Sequence, residues 1–253
     1  ASQDANEVYN ITIRNGSVTG WSNGILLQED VAGSTAAETV LIENIQASYN
    51  RGFGIHGGSR AVIRNSTAFF NQGIGIYVSG TAENCASTGN SSYGFLVSEG
   101  TVRGSVASEN LSHGFCLNTD SLVKESTATE NRGAGFHALS RVTIESCVAS
   151  KNETWGFYSE FQFFRVTEST ASENEAGGVK VLGEAPVVEG NAVTQRSLDE
   201  IGIYVGGARA SVQSNTVRGG ALGIFGTVGA SDAVFTNNSV AEANLGFRIK
   251  GVH

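Results

Sequence analysis

The sequence predicts an all-β chain wound into a single-stranded right-handed parallel β-helix, a solenoid of about eleven coils, and three observations predict it. The first is a repeat. Residues 105–137 contain one unit twice: Ser-x-Ala-x-x-Asn, three variable residues, then Gly-Phe and an alternating tail, with Asn110 preceding Gly114-Phe115 and Asn131 preceding Gly135-Phe136. Units of about 20 residues mark stacked-repeat architectures. The second is periodicity: apolar residues recur every two or three positions and never at helical spacing, the pattern of short strands joined by turns. The third is composition, with 33 glycines and one proline in 253 residues. The right hand follows from the general preference of parallel crossover connections.

The unit extends far beyond those two copies. Asparagines recur at 50, 71, 90, 110, 131, 152 and 174, and glycine followed by an apolar residue recurs at 24, 54, 75, 94, 114, 135, 156, 178, 202, 223 and 246. Apolar or small residues precede each Asn by eight (Ile42 to Val166), five (Ile45 to Ser169) and three positions (Ala47 to Ala171). These columns predict an inward-facing core of small layers, with strands about 4.8 Å apart and a rod roughly 50 Å long. A leucine-rich repeat has a similar period, but its L-x-x-L-x-L core is missing. The Asn column is expected at a turn, where an amide tolerates the left-handed region and bonds the coils above and below. The Gly is expected to admit unusual backbone angles on entry to the next strand.

Along the chain, residues 1–9 read as a frayed start and residues 28–39 as a loop insertion in one continuous domain spanning 1–253. Residues 40 to about 185 form the regular body. Pro186 opens the next coil, the Asn column breaks, and residues 194–200 make a wider turn before the Gly column resumes.

Charge and cysteines exclude several roles. The net charge is −8, with acidic residues such as Glu109, Glu130 and Glu173 at expected corners and no basic stripe, which argues against nucleic-acid binding. No apolar run reaches membrane-spanning length. Cys85 and Cys147 share an inward column three coils apart, roughly 14 Å, too far for a disulfide, and Cys116 falls on an outward position. Free packed thiols are expected. Sequons at Asn90, Asn110 and Asn152 coincide with the repeat and read as composition rather than glycan sites.

With these columns in view, the chain resembles the right-handed parallel β-helix repeat superfamily that includes pectate lyases, alginate lyases, mannuronan C5-epimerases and phage tailspikes. The resemblance rests on the N-x-x-x-G-[FI] units and on openings such as NITIRNGSVTGW (10–21) and AVIRNSTAFFN (61–71). It implies a carbohydrate-active protein, lyase-like or epimerase-like if catalytic, placed outside the cell or in its envelope. Epimerases of this kind carry a Y-G-F-D-P-H-type segment. Here WGFYSE (155–160) keeps the Gly-Phe frame, with Tyr158 and Glu160 where that motif has Asp and His. Neither the clustered aspartates of a calcium-dependent lyase nor calcium-binding glycine repeats are present, so no cofactor or metal is expected. The acidic pair Glu29-Asp30 is the sole, weak place for Ca2+.

Strand alternation selects the candidate site. If the residue after each ladder Gly points inward, the next points outward. That outward row reads Leu26, His56, Tyr77, Leu96, Cys116, His137, Tyr158, Lys180, Tyr204, Phe225 and Arg248. His137, Tyr158, Lys180 and Tyr204 occupy four successive coils and are the catalytic candidates. His56, Tyr77, Glu160 and Arg248 are expected to bind substrate. Aromatic faces stack on sugar rings, Lys and Arg pair with carboxylates, and His or Tyr moves protons. An acidic polysaccharide is the expected partner, with Lys180 neutralising a uronate, His137 or Tyr158 as base and Tyr204 as acid. The alternative is a non-catalytic structural, adhesive or tailspike-like module whose aromatic row simply stacks well in parallel strands. A Thr array suited to ice is too irregular here, reading Gln46, Thr67, Ala86, Val106, Thr127, Val148, Thr170. Open solenoid ends predict that another chain or segment covers at least one of them.

Overall fold

The structure, a computed structural model, describes residues 10–27, 40–197 and 199–250. The frayed start (1–9), the loop insertion (28–39) and its Glu29-Asp30 pair lie outside the described residues. The 29 strands between Ile11 and Ile249 are all β and pair in parallel with the coil before and the coil after. Each coil has three short strands on three faces. In one coil these are Leu122–Lys124 on the second face, Thr127–Thr129 on the third and Phe136–Ala138 on the first. Their partners one coil on are Thr143–Glu145, Val148–Ser150 and Trp155–Ser159.

The predicted core columns are buried. Ile42, Ile63, Val102, Val123, Ile144 and Val166 are fully enclosed, as are Ala47, Ala68, Ala107, Ala128, Ala149 and Ala171. Beneath the first face Phe95, Phe115, Phe136 and Phe157 stack with centroids 4.7, 4.7 and 5.1 Å apart and nearly parallel planes. Inward phenylalanines in register one coil apart can only stack, which gives each coil an aromatic contact beyond its buried area.

The Asn column is an amide ladder. From Asn50 to Asn174 each Nδ2 donates to the Oδ1 of the next Asn at 2.8–3.0 Å, and each backbone N–H donates to that same oxygen. All seven are fully buried, so Asn90, Asn110 and Asn152 are not open to glycosylation. Two expectations need correction. The left-handed residue at this corner is the one before each Asn, including Glu109 (φ 56), Glu130 (φ 57), Lys151 (φ 53) and Glu173 (φ 56). The ladder glycines do not have positive φ; they are needed for space. A methyl on Gly135 would lie 2.8 Å from the Gly156 carbonyl oxygen, 2.9 Å from Asn152 Nδ2 and 3.0 Å from Ala149 Cβ.

Nor does the amide ladder end at Asn174. It moves to the preceding corner, where Ser169 N donates to Asn191 Oδ1 and the chain of amides continues through Asn215 to Asn238. That column holds Ser66, Cys85, Ser105, Ser126 and Cys147 in the earlier coils, whose side chains accept the same backbone N–H. In the last described coil Phe247 and Ile249 are exposed, although the same columns are buried in the coils before it.

Candidate functional site

The outward row lies in register through all eleven coils. Leu26 pairs with His56, His56 with Tyr77, and the pairing continues through Leu96, Cys116, His137, Tyr158, Lys180, Tyr204 and Phe225 to Arg248. The parallel sheet therefore presents one residue per step along a single face, but packing divides the row. Cys116, expected outward, is buried. Its thiol bonds the Tyr93 hydroxyl, and burial pushes it up to about 11. With the half-buried Leu96 it separates a His56–Tyr77 pair from the cluster that begins at His137.

In that larger cluster His137 and Tyr158 stack at 5.2 Å with planes 16° apart. Lys180 places Nζ over three rings, 5.2 Å from Tyr158, 5.5 Å from Tyr204 and 5.6 Å from Trp155, all within cation–π range. No ion pair to Lys180 is present among the described residues, and its ammonium is held by ring quadrupoles rather than by a carboxylate. The Tyr158 hydroxyl donates to Glu160, and desolvation together with that carboxylate pushes it up to about 12. His137 is shifted the other way. Burial lowers it, against the opposing charge of Glu160, so the ring is neutral at pH 7, and its Nε2 is enclosed without a hydrogen-bond partner. Arg248 stands apart, its guanidinium 5.8 Å over Phe225 in the last described coil.

Three members of this surface escaped the sequence reading: Tyr93, His113 and Trp155. Each immediately precedes a ladder Gly, where strict alternation predicts an inward side chain. All three are instead half-buried, and from His113 to Gly177 large and small residues alternate from coil to coil at this position. Trp155 lies across Gly177, where a side chain would collide with the indole, and reaches Tyr204 edge-on at 6.3 Å. His113 stacks on Tyr93 at 5.7 Å and meets His137 at 4.6 Å with the planes tilted by 48°. Its Nδ1 accepts the Ala134 N–H at 2.8 Å, so the ring proton sits on Nε2. Burial and the neighbouring His137 lower it to about 4. A large-small alternation in the sequence, His113, Ala134, Trp155, Gly177, is the signal that could have found this second row.

Among the described residues no three His, Cys, Asp or Glu side chains come together in a way that could hold a metal ion, and no helix is long and apolar enough to cross a membrane. What the cluster offers is a cation between aromatic planes, a neutral imidazole beside it and a phenol–carboxylate pair at its rim.

A three-sided parallel solenoid with its strands in register from coil to coil defines a class, the parallel β-helix proteins. A family model described as "Right handed beta helix region" matches residues 2–143 and 140–252, and the chain belongs to that family. No curated protein sequence matches it. Among solved structures it is similar to the Azotobacter vinelandii mannuronan C-5 epimerase AlgE6 A-module, with a TM-score of 0.64 and 14% identity over 93% of this chain and 87% of that one. The AlgE4 A-module from the same organism gives 0.52 and 14% over 94% and 90%. Pectate lyase Pel9A gives 0.52 and 15% over 90% and 69%. At such identities the likeness is one of fold.

Proposed function

We propose that the first face binds an acidic polysaccharide outside the cytoplasm, and that the cluster from His137 to Tyr204 is where a uronate residue is held and turned over in epimerase-like or lyase-like fashion. The observation that carries this reading is Lys180, an ammonium with three aromatic neighbours and no carboxylate partner. A sugar ring stacks on such aromatic walls while its carboxylate meets the ammonium, a charge-assisted bond. Neutralising that carboxylate acidifies the adjacent C5 proton. The names of the similar structures, two epimerase modules and a pectate lyase, support the same class.

The geometry narrows the roles. A tyrosinate base is disfavoured at Tyr158, whose hydroxyl is bound to Glu160 and pushed up to about 12. His137, a neutral imidazole stacked on Tyr158, takes the base role, Tyr204 the acid role, and Trp155 joins Tyr158 as a stacking wall. Arg248 lies along the same row as an outer contact, whereas His56 and Tyr77 form a separate pair, Tyr77 standing three coils before His137. The absence of the epimerase-type Asp and His at Tyr158 and Glu160 favours the rival, a non-catalytic structural or adhesive module.

One experiment separates them. The protein is incubated with mannuronan, pectate and hyaluronan while unsaturated-uronate absorbance and C5 inversion are followed, the latter by proton NMR. Turnover is expected on one of them, with His137→Ala lowering kcat about 100-fold or more. No turnover on any, with binding unchanged in Tyr158→Phe/Lys180→Ala, leaves the module reading.

A further inference from the structure

We propose that the hollow between His56 and Tyr77 is a second binding site that takes a single uncharged sugar ring, distinct from the Lys180 cluster. It rests on the reading that this face binds carbohydrate, but it assigns a different chemistry to a different place.

The hollow is built by an irregularity in the second and third described coils. In the body the first-face strand usually spans three to five residues before the corner, as in Phe115–Leu117. The strand Ile55–Arg64 instead runs through the corner, and its pairing with Ile76–Glu83 slips twice, between His56 and Ser59 and between Ser59 and Val62. Gly57 and Gly58 make this possible. A methyl on Gly57 would lie 2.9 Å from Ala61 Cβ, and one on Gly58, at φ 73, would lie 2.8 Å from the Leu27 carbonyl oxygen. The backbone draws back and leaves a hollow of about 250 Å³ lined by His56, Gly58, Ser59, Tyr77 and Ser79. That is below the roughly 300–1,000 Å³ of a drug-sized site and suits one ring rather than a chain.

Its rings are fixed in place. His56 and Tyr77 stack at 4.3 Å with planes 15° apart, and Phe53 meets His56 edge-on at 5.1 Å. His56 Nδ1 lies 3.1 Å from the Leu27 carbonyl and 3.3 Å from the Gly58 N–H, and Ser79 Oγ donates to Tyr77 Oη at 2.9 Å. Among the described residues the lining offers hydroxyls, an imidazole, glycine backbone and aromatic surface, and no carboxylate, ammonium or guanidinium. Burial lowers the His56 pKa, which leaves that ring neutral as well at pH 7. Hydroxyl and imidazole groups match the alternating donors and acceptors of a neutral pyranose, and the ring faces match its C–H surface. A uronate carboxylate would enter without a counter-charge and lose solvation uncompensated. Three coil steps, about 14 Å, separate Tyr77 from His137, so the two sites are not one pocket.

The test uses the full chain, labelled with 15N and titrated with methyl glycosides of glucose, galactose and mannose, and separately with galacturonate and mannuronate. At least one neutral glycoside is expected to shift the amides of Gly57, Gly58 and Ser79. That response should weaken about tenfold in Ser79→Ala and in Tyr77→Phe, which keeps the stack, and persist in Lys180→Ala. The proposal is overturned if no neutral glycoside shifts those amides, if the variants leave the response unchanged, or if the uronates bind the hollow as well as neutral sugars do. Uronates that fail at Lys180 while neutral glycosides still occupy the hollow would instead refute only the acidic-sugar reading of the larger cluster.

Discussion

The coils before and after Pro186 meet the same requirement in different places. In the body, from Asn50 to Asn174, the buried amide ladder runs along the corner that leads into the first face. The space beneath each ladder Gly is filled by an Asn Nδ2 and an Ala Cβ of the next coil, with Ser87 in place of the Ala beneath Gly75. After Pro186 the ladder runs one corner earlier, through Asn191, Asn215 and Asn238, and that space is filled by Val193, Val217 and Val240. Glycine stays, the amides move, and Ala becomes Val as the amide leaves. Each region of this β-helix thus has its own buried amide column and a filled gap under its glycine, while the corner that carries the column changes.

The largest effect is expected from cutting the ladders. Asn131→Ala orphans the Asn110 N–H and the Ala107 carbonyl, both buried, while the Asn152 amide oxygen keeps only the backbone N–H of residue 131. At about 1–3 kcal/mol per unsatisfied group, partly relieved by relaxation, the loss is about 3–4 kcal/mol in urea unfolding. Asn215→Ala removes the corresponding partners of Asn191 N–H and the Val188 carbonyl and is expected to cost as much. A much smaller loss at Asn215 would show that the two ladders are not equivalent.

Gly135→Ala and Gly202→Ala are next, at about 2–3 kcal/mol each through overpacking. They differ in rescue. The Gly202 methyl meets Val217 Cγ1 as well as the Gly223 carbonyl oxygen at 2.5 Å. Val217→Ala should therefore recover the side-chain part of the cost, about 1 kcal/mol in a double-mutant cycle, and leave the carbonyl part. Ala149→Gly should not rescue Gly135→Ala, because the Gly156 carbonyl and the Asn152 amide still stand in the way.

Titration divides the regions by chemistry. Among the described residues every His and Cys precedes Pro186. His113 is lowered to about 4, and His56 and His137 are lowered as well. Below pH 6.5 the unfolded chain therefore binds more protons than the folded one, and body stability falls as pH drops from 6.5 towards 4. Cys85, Cys116 and Cys147 are raised by burial to about 11, 11 and 12. Above pH 9 the unfolded thiols ionise first, and stability falls again towards pH 11–12. A melting temperature that stays flat from pH 7 to 4 would refute the buried neutral histidines. In the native state a thiol reagent at pH 8 should react slowly, and it reports opening of the body alone.

The smallest effects belong to the surface pairs, one from each region. Arg103–Glu125 and Arg218–Glu242 are bidentate at 2.9 and 2.7 Å yet fully solvated. Arg103→Ala and Arg218→Ala should leave the melting temperature nearly unchanged, at low and at high salt.

Much of this architecture is legible in the sequence because the period is strict. The Gly, Asn and inward apolar columns locate the coils, the core and the outward row to the residue. The corner chemistry is less legible. Spacing places an Asn at a turn but cannot say that its neighbour, Glu109 or Lys151, carries the left-handed backbone. Nor does a change from Ser169 to Asn191 announce that a ladder has crossed to another corner, since only the neighbouring coil's N–H reveals it. Alternation placed His137, Tyr158, Lys180 and Tyr204 on one outward row, and the strand register puts them there. It missed Trp155 and His113, which stand half-buried where alternation predicts an inward side chain. It also misjudged the exposure of Cys116, which Tyr93 covers from that same unread position.

The amide ladder has a bearing on how such a chain can change length. Each rung asks of its neighbours only an amide oxygen on one side and an amide hydrogen on the other, and Asn110 and Asn131 make that request in identical terms. Duplicating residues 110–130 would therefore add a coil whose top and bottom already match, with no junction to invent. Growth by whole-coil duplication meets almost no structural resistance here, whereas an insertion of a few residues inside a rung severs the column. Length is quantised in coils, and corner loops are where smaller changes can accumulate.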